Sequence, residues 1–362
     1  MMEKKIKLLI VDDSRIFRSA VEESLSGEDD IEVIGSVWNG VKALEFIQSN
    51  PPDLVTLDIE MPDMDGLETL RAIQKINASK IGSKPIGVIM LSSHTQGGAD
   101  ITVKALEMGA FDFVSKPEGK NLTESFEILR RQLVVKIRYF ASKSISLVQN
   151  KMQIVELPRP KISRKILTSS KYRAILIGVS TGGPKALAEI LPPLCEKVDV
   201  PIFIAQHMPP TFTQSLAKSL NTKCRYTVIE GNNNDIVQEQ HVYISPGGRH
   251  MLLMKRHHAI NIVVNDLPPE NGCRPSVDML FRSGATVYGK DAIALVLTGM
   301  GVDGTKGARV LKRTGAVVIA QDEKTSVVWG MPGSAKASGN VDKILPLGNI
   351  PSTVIGMVLN LN

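Results

Sequence analysis

Ser180 stands at the centre of a Gly-x-Ser-x-Gly pattern, Gly178–Gly182, that could supply a nucleophile. The apolar run Ile175–Ile177 before it predicts a buried parallel strand, and Pro184–Leu191 after it predicts a helix. A tight turn between strand and helix is the setting of a nucleophile elbow, where the hydroxyl is exposed beside helix N-terminal amides. The same sequence pattern is also compatible with a glycine-rich anion-binding loop or with a simple tight turn.

A base and a carboxylate for such a serine also follow predicted strands. His207 comes after the strand predicted at 201–206, and Asp303 comes after the strand predicted at 292–297. Carboxyl ends of parallel strands open on one side of a sheet, so the three groups can converge. The order Ser, His, Asp differs from that of α/β-hydrolases. His250 is the second candidate for the base, and a histidine satisfied by backbone is the alternative for His207.

A second constellation lies in the first third of the chain. Asp12 and Asp13 follow the first predicted strand, and Asp58 follows the third. Three carboxylates at one edge repel one another unless a cation lies among them, and Mg²⁺ prefers such oxygen ligands. Ser92 and Lys116 end two further strands and add a hydroxyl and an ammonium, which completes a site able to accept a phosphoryl group. Helix caps or surface charges are the alternative for each residue alone.

Two α/β patterns position these residues. Apolar runs and helical patterns alternate over residues 1–125, and a second series begins near residue 173. This predicts two doubly wound parallel-sheet domains: a five-stranded flavodoxin-like domain, then a Rossmann-like domain with a β-hairpin insertion. The predicted boundaries are 1–125 for the first domain, 126–170 for a linker and 171–362 for the second domain.

Composition and charge narrow the function classes. The 362 residues are 43% hydrophobic and 22% charged, with neither a signal-peptide pattern nor an apolar run of membrane-spanning length, so we expect a cytoplasmic protein without membrane insertion. The three cysteines, Cys195, Cys224 and Cys273, are scattered and predict free thiols.

The net charge of +6 is concentrated in one segment, because residues 130–173 hold twelve Lys or Arg and one acid. Contact with nucleic acid or anionic lipid is one interpretation of this segment, and a solvated basic linker is the other. Aromatic residues are sparse there and no nucleic-acid-binding motif appears, so the linker is favoured and no nucleic-acid partner is expected.

The motifs VDDS, LDIEMPDMDGL and FVSKP resemble those of response-regulator receiver domains, across residues 5–125. The resemblance implies a two-component phosphoprotein with Asp58 as phosphoacceptor, and a histidine kinase of the CheA type or a small phosphodonor as phosphate source. The residues that it implies for Mg²⁺ are Asp12, Asp13, Asp58 and the carbonyl of Glu60. Ser92 and Lys116 are implied to bind the phosphoryl oxygens, and Phe113 falls at the position of the switch aromatic.

The motifs IGVSTGGP, AQHMP, SPGGRHM, RPSVD, LTGMGVDG and AQDEKTSVVWGMPGSA, in this order behind a receiver, resemble CheB-type chemotaxis protein-glutamate methylesterases. The resemblance implies Ser180 as nucleophile, His207 as general base, Asp303 as orienting acid and Met300 N–H as an oxyanion donor. The implied substrates are glutamate γ-methyl esters on the cytoplasmic helices of methyl-accepting chemotaxis proteins, with receptor glutamines as deamidation substrates. No cofactor is implied for the ester hydrolysis.

Two residues depart from this family pattern. Val179 stands where alanine is usual beside the nucleophile, and Cys273 precedes RPSVD where a histidine is frequent. Two further function classes stay open at this point. One is a receiver joined to a nucleotide- or nucleic-acid-binding domain with STGG as a phosphate loop, although no Gly-Lys-Ser/Thr follows. The other is a receptor-binding protein without catalysis.

Overall fold

A computed structural model describes residues 5–79, 84–93, 95–117, 122–149 and 172–361. The chain divides into two compact units, residues 1–151 and residues 152–362. Each unit contains a parallel sheet whose strands are connected by helices, so the prediction of two doubly wound α/β sheets is confirmed.

Over the described part of the first unit, the chain forms five strands and five helices. Its strands are β1 (Ile6–Val11), β2 (Ile31–Val37), β3 (Leu54–Asp58), β4 (Gly87–Ser92) and β5 (Asp112–Ser115). Its helices are α1 (Arg15–Leu25), α2 (Gly40–Ser49), α3 (Gly66–Ser79), α4 (Gln96–Glu107) and α5 (Leu122–Gln149). The sheet order is β2-β1-β3-β4-β5, and all pairs are parallel.

The register of this sheet places the acidic residues together. Val11 of β1 pairs with Leu57 of β3, and Asp12 and Asp58 are the residues that follow this pair. Every residue of β3 and β4 is buried, so these strands form the centre of the core. The carboxylates therefore emerge from the apolar core at the carboxyl edge of neighbouring strands.

Helix α5 runs from Leu122 to Gln149 and so continues across the predicted domain boundary between residues 125 and 126. Its buried residues Leu129, Leu133, Ile137 and Phe140 recur every three or four positions. That spacing forms one apolar face, which holds the helix against the unit despite its basic residues. The remainder of the predicted linker, residues 150–170, lies outside the described residues.

In the second unit, the described residues form nine strands and six α-helices. Its strands are β6 (Ala174–Val179), β7 (Ile202–Gln206), β8 (Thr227–Glu230), β9 (His241–Ile244), β10 (His250–Arg256), β11 (Ala259–Asn265), β12 (Ala292–Val296), β13 (Val317–Gln321) and β14 (Lys343–Leu345). Its helices are α6 (Gly183–Lys197), α7 (Phe212–Asn221), α8 (Val277–Tyr288), α9 (Thr305–Arg313), α10 (Met331–Ala337) and α11 (Ile350–Val358).

Seven of these strands form a parallel sheet in the order β14-β13-β12-β6-β7-β9-β8, and β10 and β11 form the predicted hairpin as a separate antiparallel pair. From β6 the chain first builds the sheet on the β7 side and later on the β12 side. The direction of winding therefore reverses between β6 and β12. Crevices beyond the carboxyl ends of strands at such a reversal are the usual ligand sites of open α/β sheets.

Helix α6 is longer than the sequence predicts. It continues beyond Leu191 through Pro192 and Pro193 and ends at Lys197. Proline inside a helix removes a backbone hydrogen bond and is costly in isolation. Here the turn that follows buries Leu194 and Cys195 in the core. Burial of these apolar side chains offsets the cost of the prolines.

Candidate active site

Ser180 is the first residue after β6 and lies before α6, as the elbow pattern predicts. Its N–H donates to the carbonyl of Thr298 (3.0 Å), and its own carbonyl accepts from Gly183 N (2.8 Å) and from Gln206 Nε2 (3.0 Å). Three neighbouring segments therefore fix the backbone of Ser180. The side chain is half-buried at the edge of the sheet.

Two glycines make this turn possible. Gly182 has a φ of 80°, in the left-handed region where side chains other than glycine are strained. A Cβ atom on Gly299 would lie 2.7 Å from Cβ of Ser180 and 2.5 Å from Sδ of Met331. The loop after β12 can therefore approach the serine only because residue 299 lacks a side chain.

His207 occupies the corresponding position on the neighbouring strand. Val179 pairs with Gln206 in the β6–β7 register, so Ser180 and His207 are the next residues on adjacent parallel strands. The N–H of His207 donates to the carbonyl of Val179 at 3.1 Å. Its ring Nε2 lies 2.8 Å from Oδ2 of Asp303, and 12% of its side chain is exposed.

Asp303 is buried and accepts hydrogen bonds on both carboxylate oxygens. Besides His207, Oδ2 accepts from the N–H of Val277 at 2.7 Å. The donors to Oδ1 are Ser276 Oγ (3.0 Å), Asp278 N (3.1 Å), Gly304 N (3.1 Å) and Asn271 Nδ2 (3.1 Å). The carboxylate thus accepts from the first amides of α8 as well as from the histidine.

This arrangement shifts the pKa of both partners. Burial alone would raise the pKa of Asp303, but the hydrogen bond with His207 and the α8 amides lower it to about 2. Burial lowers the pKa of His207, but the hydrogen bond with Asp303 and the neighbouring Cys273 raise it by more, to about 9. An ionised Asp303 fixes the ring orientation and stabilises a protonated imidazole.

The structure places the loops that carry the three predicted triad positions at the carboxyl edge of the neighbouring strands β12, β6 and β7, with direct contact between His207 and Asp303. Within the part of the chain that the structure describes, no hydrogen bond joins Ser180 Oγ to His207. Nδ1 is the ring nitrogen of His207 that Asp303 leaves available. In His250, the other candidate base, Nδ1 accepts from Ser276 N and Nε2 contacts the carbonyl of Pro268, both at 3.2 Å. Backbone groups thus occupy both of its ring nitrogens.

Met300 follows Gly299 in the loop beside Ser180. The N–H of Gly299 donates to the carbonyl of Val328 at 3.1 Å. For Met300 N–H, the described residues provide no such acceptor. The residue is half-buried at the same edge as Ser180. An amide without an internal acceptor beside a nucleophile has the chemistry of an oxyanion donor.

Sequence reasoning missed three groups that support Asp303. The side chain of Asn271 bridges Asp303 and the buried Asp278, at 3.1 and 3.0 Å. The hydroxyl of Ser276 and the first amides of α8 complete the set. The sequence signal for them is the amphipathic pattern of Ser276–Tyr288, which predicts a helix, because helix N-terminal amides attract carboxylates.

Cys273, the position that departs from the family pattern, lies next to the triad. One ligand-type atom from each of His207, Cys273 and Asp303 lies within 4.8 Å of the other two. The thiol is partly exposed. Val179, the other departure, is fully buried.

The first unit gathers the predicted phosphoryl site. One oxygen each from Asp12, Asp13 and Asp58 lies within 4.8 Å of the others. Lys116 Nζ is 2.8 Å from Asp12 Oδ2 and 2.8 Å from Asp58 Oδ2. Burial, and then the charge of Asp12, raise the pKa of Asp58 to about 6, although Lys116 opposes the shift. Hard oxygen ligands with excess negative charge fit Mg²⁺.

The remaining predicted residues of this unit lie around that cluster. Ser92 is buried and its hydroxyl accepts from Thr102 Oγ1 at 2.7 Å. Phe113 is 8% exposed, with Nζ of Lys136 5.9 Å from its ring centre. Glu60 and Asp13 line a cavity of about 460 Å³. The site thus opens to solvent beside Asp13, while Ser92 and Phe113 lie within the core.

Comparisons with known proteins match both units. The family model described as CheB methylesterase matches residues 175–354, and the model described as response regulator receiver domain matches residues 8–127. The protein-glutamate methylesterase/protein-glutamine glutaminase of Trichodesmium erythraeum is 41% identical over 354 residues, covering 97% of this chain and 98% of that protein. The Pyrococcus horikoshii protein of the same name is 39% identical over 359 residues, covering 99% and 95%.

A solved structure matches the second unit. The crystal structure of the Thermotoga maritima CheB methylesterase catalytic domain is 41% identical and has a TM-score of 0.51. The match covers 52% of this chain and 99% of that one. Among the helices that the structure describes, none combines the length and the apolar character that a membrane span requires.

Proposed function

The chain belongs to the CheB methylesterase family and carries a response regulator receiver domain, and from this we propose that it is a phosphorylation-regulated protein-glutamate methylesterase. Its substrates are glutamate γ-methyl esters on the cytoplasmic helices of methyl-accepting chemotaxis proteins, and its role is adaptation in chemotaxis-type signalling. The observation that carries the proposal is the 2.8 Å contact between His207 and Asp303, placed beside Ser180 where the sheet reverses its winding.

The hydrolysis proceeds in two steps. His207 takes the Ser180 proton on Nδ1, since Nε2 is engaged with Asp303, while Ser180 Oγ attacks the ester carbonyl. The protonated imidazole returns the proton to the methoxide group, and methanol leaves an acyl-enzyme. Water attacks this acyl group with His207 again as base, which releases the glutamate carboxylate and restores Ser180.

Each tetrahedral intermediate carries a negative oxygen. We assign the N–H of Met300 to this oxygen, because the loop that carries it lies against the Ser180 backbone through Gly299. The same cycle removes ammonia when the substrate is a receptor glutamine, since only the leaving group changes. Asp303 stays ionised and stabilises the imidazolium formed in each step.

The receiver controls this chemistry through Asp58, which accepts a phosphoryl group from a histidine kinase of the CheA type or a small phosphodonor. Asp12, Asp13, Asp58 and the carbonyl of Glu60 would hold Mg²⁺, whose charge offsets that of the incoming phosphate. Lys116 already contacts two of these carboxylates and is placed to bind a phosphoryl oxygen. The hydroxyl of Ser92 binds another oxygen, and Phe113 responds by repacking.

We retain a receiver within residues 1–125 and an esterase within residues 171–362 as proposed domains, in a cytoplasmic protein. Phosphorylation shifts a two-state equilibrium that limits access to the esterase site. A coupling of about 1–3 kcal/mol corresponds to roughly a 5–150-fold change in rate. A phosphate loop for nucleotides is not favoured, because His207 and Asp303 adjoin the serine.

The test measures methanol released from a methylated receptor cytoplasmic fragment, with acetyl phosphate and Mg²⁺. Wild type should release methanol, and Ser180→Ala should lose about 10⁴–10⁶-fold in rate. Asp58→Asn should retain the basal rate but lose the increase caused by acetyl phosphate. If wild type and Ser180→Ala are equally inactive while a reference esterase works on the same fragment, the esterase proposal fails.

A further inference from the structure

The loop that carries Cys273 is closed by its own backbone. Glu270 and Cys273 exchange two hydrogen bonds, with Glu270 N to Cys273 O at 3.1 Å and Cys273 N to Glu270 O at 2.9 Å. Asn271 and Gly272 turn the chain between them with φ values of 52° and 75°. The side chain of Asn271 ties this turn to Asp303. The position of the thiol is therefore set by a turn that is anchored to the triad carboxylate.

Three chemically different ligands meet there: an imidazole, a thiol and a carboxylate. One atom of each lies within 4.8 Å of the other two. A tetrahedral Zn²⁺ site with bonds of about 2.0–2.3 Å separates its ligand atoms by roughly 3.3–3.7 Å. Movements of about 1 Å or less would therefore complete such a site. Cys, His and Asp are all ligands that Zn²⁺ accepts.

We propose that this chain binds a thiophilic divalent cation, of which Zn²⁺ is the representative, through His207, Cys273 and Asp303, and that the bound ion switches off the esterase. The inhibitory part rests on the proposed function, whereas the metal site stands by itself. His207 and Cys273 are partly exposed, so an ion from solvent can reach them. A water molecule would complete the four ligands.

The inhibition follows from the tautomer of His207. A cation on Nε2 takes the place of the proton shared with Asp303 Oδ2, and that proton moves to Nδ1. The Cys273 thiol releases its proton to solvent and binds as thiolate, so one proton leaves for each ion bound when His207 is neutral. A second proton leaves when the imidazole is protonated before the ion binds. With Nδ1 protonated, the imidazole has no lone pair for the Ser180 proton. The thiolate and the carboxylate together balance the two positive charges of the ion.

The other candidate ligands of the described chain differ in chemistry. The carboxylates of Asp12, Asp13 and Asp58 form an all-oxygen cluster that suits Mg²⁺ rather than a thiophilic ion. Cys224 carries a partly exposed thiol elsewhere in the second unit, beside the buried Cys195, and serves as the control for loss of a thiol away from the triad. Excess Mg²⁺ in the buffer occupies the oxygen cluster during the measurement.

The experiment titrates the full-length, metal-free protein with Co²⁺, whose bond to thiolate gives a charge-transfer absorption band that needs no substrate. We expect the band in wild type and in Cys224→Ser, and its loss in Cys273→Ser. Zn²⁺ should displace Co²⁺. In the methanol assay Zn²⁺ should inhibit wild type and Cys224→Ser alike. Each variant is compared with its own metal-free rate, and Cys273→Ser should need at least roughly tenfold more Zn²⁺ than wild type for the same fractional inhibition.

Absence of the band in wild type, or its persistence in Cys273→Ser, would overturn the metal site. A band in wild type together with a Zn²⁺-insensitive esterase would overturn the inhibition. A band in a protein without any esterase activity would leave the metal site standing and refute the proposed function instead. The absorption and the methanol assay therefore separate the two proposals.

Discussion

Replacing Asp303 with Asn tests the proposed role of the carboxylate, because its two oxygens have unequal surroundings. Oδ1 accepts from four donors and Oδ2 accepts from two, Val277 N and His207. In Asp303→Asn the amide oxygen should take the Oδ1 position, where it keeps all four donors. The NH₂ group then faces Val277 N–H and His207 Nε2.

Two effects follow from that orientation. The new NH₂ donates to Nε2 of His207, which places the ring proton on Nδ1 and prevents removal of the Ser180 proton. A wrong tautomer of this kind costs about 10⁴-fold in kcat in a serine triad. The Val277 N–H loses its acceptor, which costs about 1–3 kcal/mol of unfolding free energy. For a domain of this size, that lowers Tm by roughly 2–12 °C.

The assay combines kcat for methanol release with thermal unfolding of the same sample. Asp278→Asn is the matched control, since Asp278 is also buried and accepts from Gly307 N (2.6 Å) and Asn271 Nδ2 (3.0 Å). It should lose comparable stability and retain kcat within about tenfold, because no hydrogen bond joins it to His207 in the described chain. A folded Asp303→Asn protein with kcat within tenfold of wild type would refute the tautomer argument.

Three further predictions concern the same crevice. Because the pKa of His207 is raised to about 9 and the base must be neutral, kcat/KM measured in EDTA should rise with pH, with about one hundredth of the maximum at pH 7 and about half of it at pH 9. It should level off only above pH 9, and a profile that is flat from pH 6 to pH 9 contradicts this. Gly299→Ala should lower kcat by at least about 10²-fold, because the added Cβ would displace Ser180. The control Gly356→Ala should have the kcat of wild type, because no atom lies within 4 Å of its added Cβ. Asn271→Asp places a third carboxylate beside those of Asp278 and Asp303. It should lower the unfolding free energy, measured by chemical denaturation, by about 1.5–3 kcal/mol for each lost hydrogen bond. An unchanged denaturation midpoint would show that the Asn271 bridge contributes nothing to stability.

The parts that the sequence predicts are those with a local pattern. The strands before Ser180, His207 and Asp58 are short, predominantly apolar runs, and such runs predict buried parallel strands whose carboxyl ends carry the functional polar residues. The amphipathic pattern of Ser276–Tyr288 predicts a helix, and in the structure Ser276 is the N-cap of α8. Each of these predictions needs only neighbouring residues.

The parts that the sequence does not predict depend on contacts between distant segments. Asn271 meets Asp303 across 32 positions, and Ser276 meets it across 27. Neither Asn271 nor Ser276 belongs to a periodic sequence pattern that would predict where its side chain lies relative to Asp303. The continuation of α6 past Pro192 and Pro193 was missed for a similar reason, since burial of the next turn outweighs the local signal to stop. Tertiary packing decides all three.

The contacts of Asp303 connect catalysis to the folding of the second unit. The carboxylate that orients His207 also accepts from the first amides of α8, so one side chain both positions the base and satisfies a helix end. Its low pKa of about 2 means that this contribution to stability is present above the ordinary pKa of an aspartate and is lost as pH falls toward 2. Substitutions at Asp303 should therefore change activity and stability together, whereas Ser180→Ala should change activity alone.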